Sequence, residues 1–253
     1  MPRISATIIA CNEASKIARA IRSLSCADEI VVVDSGSTDG TQEIATSLGA
    51  RVINQAWQGY ATQKNIATNS AQHEWILSLD ADEELDGEAQ AAIRNWKESE
   101  PTADGYRFAR RARYLGRWIL HSGWYPDCKV RLYNRRKGWW FGAYVHESVR
   151  MIGRVQTMPG EILHYTCDTI QEHLQRIEVY TDLAAREMYY WHQQPSFLRR
   201  LFDPAWIFIN TFIFRQGVLD GYQGFVIARM AARYVNRKYT KLAEKRAAAR
   251  GQK

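Results

Sequence analysis

Trp75-Ile76-Leu77-Ser78-Leu79-Asp80-Ala81-Asp82-Glu83-Glu84 is the stretch that decides the fold. Its first five residues are almost wholly apolar, the pattern of a strand buried on both faces, and they stop at four acids in five residues. Two upstream segments have the same shape. Ile4-Ser5-Ala6-Thr7-Ile8-Ile9-Ala10 ends in Cys11-Asn12-Glu13, and Ile30-Val31-Val32-Val33 ends in Asp34-Ser35-Gly36-Ser37-Thr38-Asp39-Gly40. Helical spacing fills the gaps over residues 14–24, 41–48 (with Gly49 as its C-terminal stop) and 60–70, and Arg51-Val52-Ile53 adds a short strand. Repeated strand–helix–strand units require right-handed crossovers and a mainly parallel central sheet, an α/β fold. In such a sheet ligands bind beyond the carboxyl ends of the strands, where all three polar clusters fall.

No GxGxxG or GxxxxGK[ST] follows the first strand, so neither a dinucleotide fingerprint nor a P-loop is present. Asp80 and Asp82 stand two apart, so an extended backbone turns both carboxylates toward one ligand. Like charges that close need a cation or donor groups, and Mg²⁺ or Mn²⁺ with phosphate oxygens meets the need; an acidic turn is the other reading. Asp34 either faces the ligand crevice or organises its own turn, and Ser35, Ser37, Thr38 and Asp39 share that turn-forming chemistry. After a helix over 87–99 the pattern changes to shorter strands at 106–114, 130–134, 144–151 and 161–165, a mixed, partly antiparallel second half. Helices are expected over 170–191 and 207–245, with a break at 195–204.

The chain has 253 residues, 46% hydrophobic and 24% charged, which excludes a disordered chain, a collagen-like fibre and a disulfide miniprotein. Four cysteines without CxxC spacing suggest neither a zinc ribbon nor a redox pair. With no signal-peptide pattern at the N-terminus, reduced cytoplasmic thiols are expected. The net charge of +7 is unevenly placed: from Phe197 onward 12 basic residues meet three acids, a net +9. Such a tail suits an anionic partner, a membrane surface or nucleic acid. Within it, Pro204-Ala205-Trp206-Ile207-Phe208-Ile209-Asn210-Thr211-Phe212-Ile213-Phe214 is 11 uncharged residues, too short for the about 20 that span a bilayer. It suits a segment lying in the membrane interface; a helix packed on the rest of the protein is the alternative.

Three motifs agree with a known family in order, spacing and strand-end placement. Asn12-Glu13, Val33-Asp34-Ser35-Gly36-Ser37-Thr38-Asp39-Gly40-Thr41 and Leu79-Asp80-Ala81-Asp82-Glu83 resemble those of family 2 glycosyltransferases. These are inverting enzymes of the GT-A (nucleotide-diphospho-sugar transferase) fold. Gly123-Trp124-Tyr125-Pro126-Asp127, Val130-Arg131-Leu132-Tyr133, Val145-His146-Glu147 and Gly221-Tyr222-Gln223-Gly224-Phe225 resemble the branch containing lipopolysaccharide inner-core β-1,4-glucosyltransferases. The resemblance implies that Asn12, Glu13 and Asp34 contact the base and ribose, Asp80 the ribose, and Asp82 a Mg²⁺ or Mn²⁺ ion. Lys64, with Asn65, lines the nucleotide pocket or is a solvated helix residue. Arg131 compensates the diphosphate or is simply solvated in its strand. His164 is a further metal ligand or a core histidine.

An inverting transfer needs one base for the acceptor hydroxyl. Spacing alone makes Glu147 a surface residue of a strand. The match to the family's His-Glu pair makes it the base, beside Trp139-Trp140-Phe141, whose rings exclude water and suit sugars. Asp127 is the second candidate, or a holder of the acceptor hydroxyl. Residues 1–168 are expected to form the GT-A catalytic domain, and 169–253 a C-terminal helical, basic extension that associates with membrane. The expected activity is metal-dependent inverting transfer of a sugar, glucose from UDP-glucose first, to a lipopolysaccharide core heptose. A polyprenyl-phosphate or other glycan acceptor is the alternative. The expected location is the cytoplasm, peripheral on the inner face of the cytoplasmic membrane. A nucleic-acid-binding protein would use the tail but leave the acidic strand ends idle, repelling phosphate, so no nucleic-acid partner is expected. A sugar-nucleotide-binding regulator would keep the fold and drop catalysis, and the full set of Asp34, Asp80, Asp82 and Glu147 argues against that decay.

Overall fold

Four largely apolar strands lie side by side in the order β3 (Arg51–Asn54), β2 (Glu29–Asp34), β1 (Ile4–Ala10) and β4 (Trp75–Asp80), all parallel. This computed structural model describes residues 1–142 and 147–251, with side chains through 249. Tyr144 and Val145 of the expected strand, and His146 of the expected His-Glu pair, lie outside the described residues. In the central register Ala10 stands opposite Asp34 and Ile9 opposite Asp80, so the polar strand ends finish level with one another. Helices α1 (Ile17–Ser23), α2 (Thr41–Ser47) and α3 (Tyr60–Ser70) connect these strands. The helix expected from residue 14 begins only at Ile17. The Glu13 carbonyl takes the N–H of both Lys16 and Ile17, and Ala14 N–H goes to Asp39, so residues 13–16 form a turn instead.

Beyond β4 the sheet continues through β8 (Asp127–Asn134), β6 (Gly105–Tyr114), β11 (Val155–Cys167) and β5 (Glu83–Leu85), with β8 antiparallel to both β4 and β6. Helix α4 (Gly87–Lys97) starts where the Asp86 carboxylate accepts the Ala89 N–H at 2.7 Å. A separate hairpin pairs β9 (Gly138–Phe141) with β10 (Ser148–Met151). Ile4, Ile8, Leu77, Leu79, Ile93 and Phe108 are fully or almost fully buried in the main core. Trp96 meets Trp75 and Tyr106 edge-on at 4.8 and 5.6 Å. Gly160, at φ +83°, lets β11 pass the first turn of α4, because a Cβ there would collide with the backbone of Ala89.

The chain divides into two compact units. One contains Met1–Arg111 and Asp127–Tyr165; the other contains Ala112–Pro126 and the chain from Thr166 onward. The second unit includes β7 (Arg117–Trp118) and helices α5 (Ile170–Tyr190), α6 (Phe197–Ile209) and α7 (Gly221–Gly251). Its core is Tyr114, Ile119, Cys167, Ile177, Val226, Ile227 and Met230. Buried Asp220 accepts the N–H of Leu120 and His121, each at 3.2 Å, and the Ser122 hydroxyl at 2.7 Å.

The helical tail is interrupted twice, at residues 191–196, which overlap the start of the expected break over 195–204, and again at 215–216. Ser196 caps α6 by accepting the Arg199 N–H, and the helix then runs through Pro204. A proline interior to a helix costs one hydrogen bond yet keeps a helical φ, so a good cap and later packing outweigh it. The second break falls after a π-helical turn, Asn210–Phe214, where Gln216 and Gly221 adopt φ of 56° and 64°. Gly224 completes the turn; its Cα rests against the Gly217 carbonyl, where no Cβ would fit.

Candidate active site

The loops after β1 and β2 are laced together by the residues the sequence singled out. Asp34 is fully buried at the last position of β2. Its Oδ1 accepts the N–H of Gly36 and Ser37 at 3.0 and 2.8 Å and the Gln42 side-chain amide at 2.7 Å; its Oδ2 accepts the Ser37 hydroxyl. This carboxylate therefore organises its own turn. Asn12, at φ 57°, accepts Thr38 N–H through Oδ1 at 2.9 Å and donates its own N–H to Ser37 Oγ at 2.8 Å. Glu13 N–H reaches Thr41 Oγ1 at 2.9 Å. Close by, Gln63 is buried and donates to Ser35 Oγ and the Gln55 carbonyl, while its Oε1 accepts no hydrogen bond among the described residues.

At the end of β4 the side chains form an alternating chain of charge. Lys64, on α3 and 3% exposed, places its ammonium 2.7 Å from Asp80 Oδ1 and 3.1 Å from Glu147 Oε1. Arg131, on β8 and equally buried, donates to Asp80 Oδ2 at 3.2 Å and to Glu83 Oε1 at 2.7 Å. Arg110, on β6, continues from Glu83 at 3.0 Å to Asp127 at 2.6 Å, and Lys129 ends the run 3.0 Å from Asp127. The order Glu147, Lys64, Asp80, Arg131, Glu83, Arg110, Asp127, Lys129 thus holds four anions and four cations. The Trp140 ring packs beside it, 4.2 Å from Lys64 Nζ, in an attractive cation–π position. Asn65 fixes that strand to α3 through two hydrogen bonds with the Trp140 backbone, at 2.8 and 3.0 Å.

Burial works to raise the pKa of Asp80, but Lys64 and Arg131 outweigh it and hold the carboxyl well below the usual range. Burial opposes ionisation of Asp127 in the same way. There Arg110 and Lys129 prevail, again pulling the carboxyl below its ordinary value.

Asp82 takes a different partner from Asp80. Its Oδ2 lies 3.3 Å from His164 Nε2 on β11, and both side chains are largely buried. Two cis ligands of an octahedral ion with bonds of about 2.1 Å stand about 3 Å apart, so this oxygen and nitrogen are spaced to share one cation. No three His, Cys, Asp or Glu side chains group for a metal among the described residues.

The structure brings Lys64, Asp80, Arg131, Asp127 and Glu147 into one network, and pairs Asp82 with His164 separately. Asn12, Glu13 and Asp34 form the neighbouring loop pair. Glu83, Arg110 and Lys129 are network members that the sequence did not single out. Their only early signal was the excess of acid after β4, which calls for cations arriving from elsewhere in the chain.

Residues 5–151 match the family model described as Glycosyl transferase family 2. An uncharacterized glycosyltransferase of Rickettsia bellii is 34% identical over 248 residues, 88% of this chain and 80% of that protein. The lipopolysaccharide core biosynthesis glycosyltransferase LpsC of Rhizobium meliloti is 31% identical over 239 residues, covering 91% of this chain and 88% of LpsC. Among solved structures, Staphylococcus aureus TarS 1-349 covers 97% of this chain and 92% of its own at 14% identity and a TM-score of 0.44. The Mycobacterium tuberculosis glucosyl-3-phosphoglycerate synthase in complex with Mn²⁺ and UDP-glucose covers 44% of each chain at 22% identity and a TM-score of 0.37. The parallel strands, the mixed continuation of the sheet and the C-terminal helices make a GT-A-like fold. Because the matched segment takes in β1 through β10 and so all three strand-end motifs, this chain belongs to glycosyl transferase family 2.

Proposed function

We propose that the protein is a metal-dependent inverting hexosyltransferase. It moves glucose from UDP-glucose to a heptose of the lipopolysaccharide core. The observation that carries this reading is the Lys64 ammonium shared between Asp80 and Glu147 at the carboxyl ends of the parallel strands. It ties the residue expected at the donor ribose to the residue expected to act as base. Asn12, Glu13 and Asp34 shape the cleft for base and ribose, and Arg131 with Lys64 offers positive charge to the diphosphate. Glu147 accepts the proton of the acceptor hydroxyl as its oxygen bonds to the anomeric carbon. The bond from that carbon to the diphosphate oxygen breaks on the opposite face, inverting the centre. Asp127 stands at the other end of the chain of charges, paired with Arg110 and Lys129, which hold its carboxyl below its ordinary value. Its place is to hold an acceptor hydroxyl.

Asp82 and His164 would hold Mg²⁺ or Mn²⁺, which when bound neutralises the diphosphate leaving group. The likeness to LpsC over 91% of this chain supports the lipopolysaccharide core as the acceptor class. Residues 1–168 carry the chemistry, and 169–253 bind the inner face of the cytoplasmic membrane. All four cysteines are free thiols, in keeping with a reducing compartment. No helix is long and apolar enough to cross a membrane among the described residues. On α6, by contrast, none of the 13 residues is fully buried, and Phe197 and Trp206 are 76% and 56% exposed. Such a surface, flanked by Arg199 and Arg200, suits adsorption to anionic lipid.

The test is a screen of nucleotide sugars for donor hydrolysis and thermal stabilisation, with Mg²⁺, Mn²⁺ or EDTA. UDP-glucose with a divalent ion should give the largest stabilisation, and Asp82→Ala should make stabilisation by UDP independent of the ion. Near-native turnover of Asp82→Ala in EDTA would remove the metal from the mechanism.

A further inference from the structure

The second unit contains an open cleft of about 560 Å³ lined by α5, α6, the π-helical turn and α7. This is within the range of about 300–1,000 Å³ that buries a small ligand. Its floor is apolar: Ile177, Ile227 and Met230 are buried there, and Ile207 contributes a wall from α6. Two guanidinium groups, Arg176 and Arg215, share the rest of the lining with the hydroxyl and amide groups of Ser122, Thr166, Asn210 and Thr211, and no acidic residue takes part in it. Arg215 is exposed and lies across Gly123, where φ is +72° and any Cβ would strike the guanidinium. Among the described residues no carboxylate forms an ion pair with Arg215. His173, also in the lining, receives or donates a 2.7 Å hydrogen bond at Nδ1 from Tyr114. Burial, and after it Arg176, pushes the imidazole down to about 4, so it is uncharged at neutral pH.

An apolar floor with two cations and no acids offers burial to hydrocarbon and pairing to an anion. It favours a molecule that is hydrocarbon at one end and anionic at the other. We propose that this cleft binds one hydrocarbon chain of a phosphate-headed lipid, with Arg215 and Arg176 meeting the phosphate. The position of α6 adds to the case. Ile207 lines the cleft while Trp206, Ile209 and Ile213 on the same segment are exposed, so apolar surface continues from the outside of the unit into the cleft. The inference concerns the second unit alone and does not depend on the transferase assignment.

Isothermal titration of the full chain with dodecyl phosphate, below its critical micelle concentration, tests the proposal. Saturable one-to-one binding is expected, with weaker binding of dodecyl maltoside and no heat from inorganic phosphate at the same concentration. Arg215→Gln, at an exposed position, should weaken dodecyl phosphate about tenfold, the loss of one charge-assisted hydrogen bond, and leave dodecyl maltoside unchanged. Ala231→Trp, which fills the cleft from α7, should remove both, while Trp206→Ser on the outer surface should alter neither. Ile207→Asp provides a second block should Ala231→Trp fold poorly by circular dichroism. Inorganic phosphate binding as tightly as dodecyl phosphate would reduce the site to an anion site. Unchanged binding in a folded Ala231→Trp or Ile207→Asp, or heat that never saturates, would place the amphiphile on the outer surface and overturn the proposal. Donor hydrolysis would be untouched by either failure.

Discussion

Lys64 is the residue on which most depends, because a single ammonium serves two carboxylates with almost no access to water. Asp80 is committed on both oxygens, whereas Glu147 is the terminal anion of the network and has only this one partner within it. Glu147→Gln keeps the volume and removes the base. Donor affinity should therefore persist while kcat falls by about 10²–10⁴, measured as single-turnover transfer beside UDP-sugar binding. Asp127→Asn should raise KM for the acceptor more than it lowers kcat. The opposite pattern, with Glu147→Gln active and Asp127→Asn dead, would move the base to the other end of the chain of charges. The sequence made several of these residues legible: Asp80, Asp82 and Asp34 stand at the ends of apolar runs, and their chemistry has no use inside a strand. Glu83 and Arg110 were hidden for a physical reason. An ion pair between residues 27 apart leaves no periodic trace, and Arg110 sits in a strand crowded with arginines.

Among the elements, β2 shows how one carboxylate can hold a sheet edge. Glu29 accepts the Ser5 hydroxyl from β1 at 2.6 Å, Arg51 from β3 at 2.8 Å, and the Gln72 N–H at 2.8 Å. Burial works to raise its pKa, but these three donors win and hold the carboxyl below its usual range. A depressed folded pKa adds stability that is complete above the unfolded value of about 4.3 and is lost as pH falls through the folded one. Glu29→Gln should accordingly lower unfolding stability by about 1–3 kcal/mol at pH 7, and the gap to the parent should close below about pH 4. Urea unfolding of both proteins across that range measures it; a gap that is constant with pH would show that packing, not charge, is responsible. The strands were legible because buried apolar runs bounded by polar turns have few other solutions, and α3 falls at the residues its spacing indicates. The tail was not. The expected break over 195–204 is met only by residues 191–196, since α6 runs through Pro204, and a second interruption depends on Gln216 and Gly221 adopting left-handed φ.

At the scale of the whole molecule, the tail's two properties separate onto different sides of α6. Phe208 and Phe212 turn inward, each packing edge-on against Phe225 at 5.8 and 6.0 Å. Phe202, Trp206 and Phe214 remain exposed. The sequence treats residues 206–214 as one apolar block; the structure sorts it by helical face. Electrostatic attraction to anionic lipid is screened within about 8–10 Å at physiological salt, but burial of apolar area is not. Flotation with anionic vesicles should therefore weaken with salt without vanishing. Changing Phe202 and Trp206 to Ser should remove the salt-resistant part, and changing Arg199 and Arg200 to Gln should lower the salt-sensitive part. A parent protein that stays unbound at low salt would leave the exposed face without a membrane role.

The grip of Asp220 on Leu120, His121 and Ser122 also has a consequence in time. These partners are about 100 residues apart in the chain. Synthesis at about 5–20 residues per second therefore delays the second partner by about 5–20 s. Throughout that interval Tyr114 and Ile119 have emerged while Val226, Ile227 and Met230, the α7 side of their core, do not yet exist. A ribosome stalled just after α5 would thus present a greasy, half-built unit, and chaperone capture should peak there and fall once α7 has left the exit tunnel.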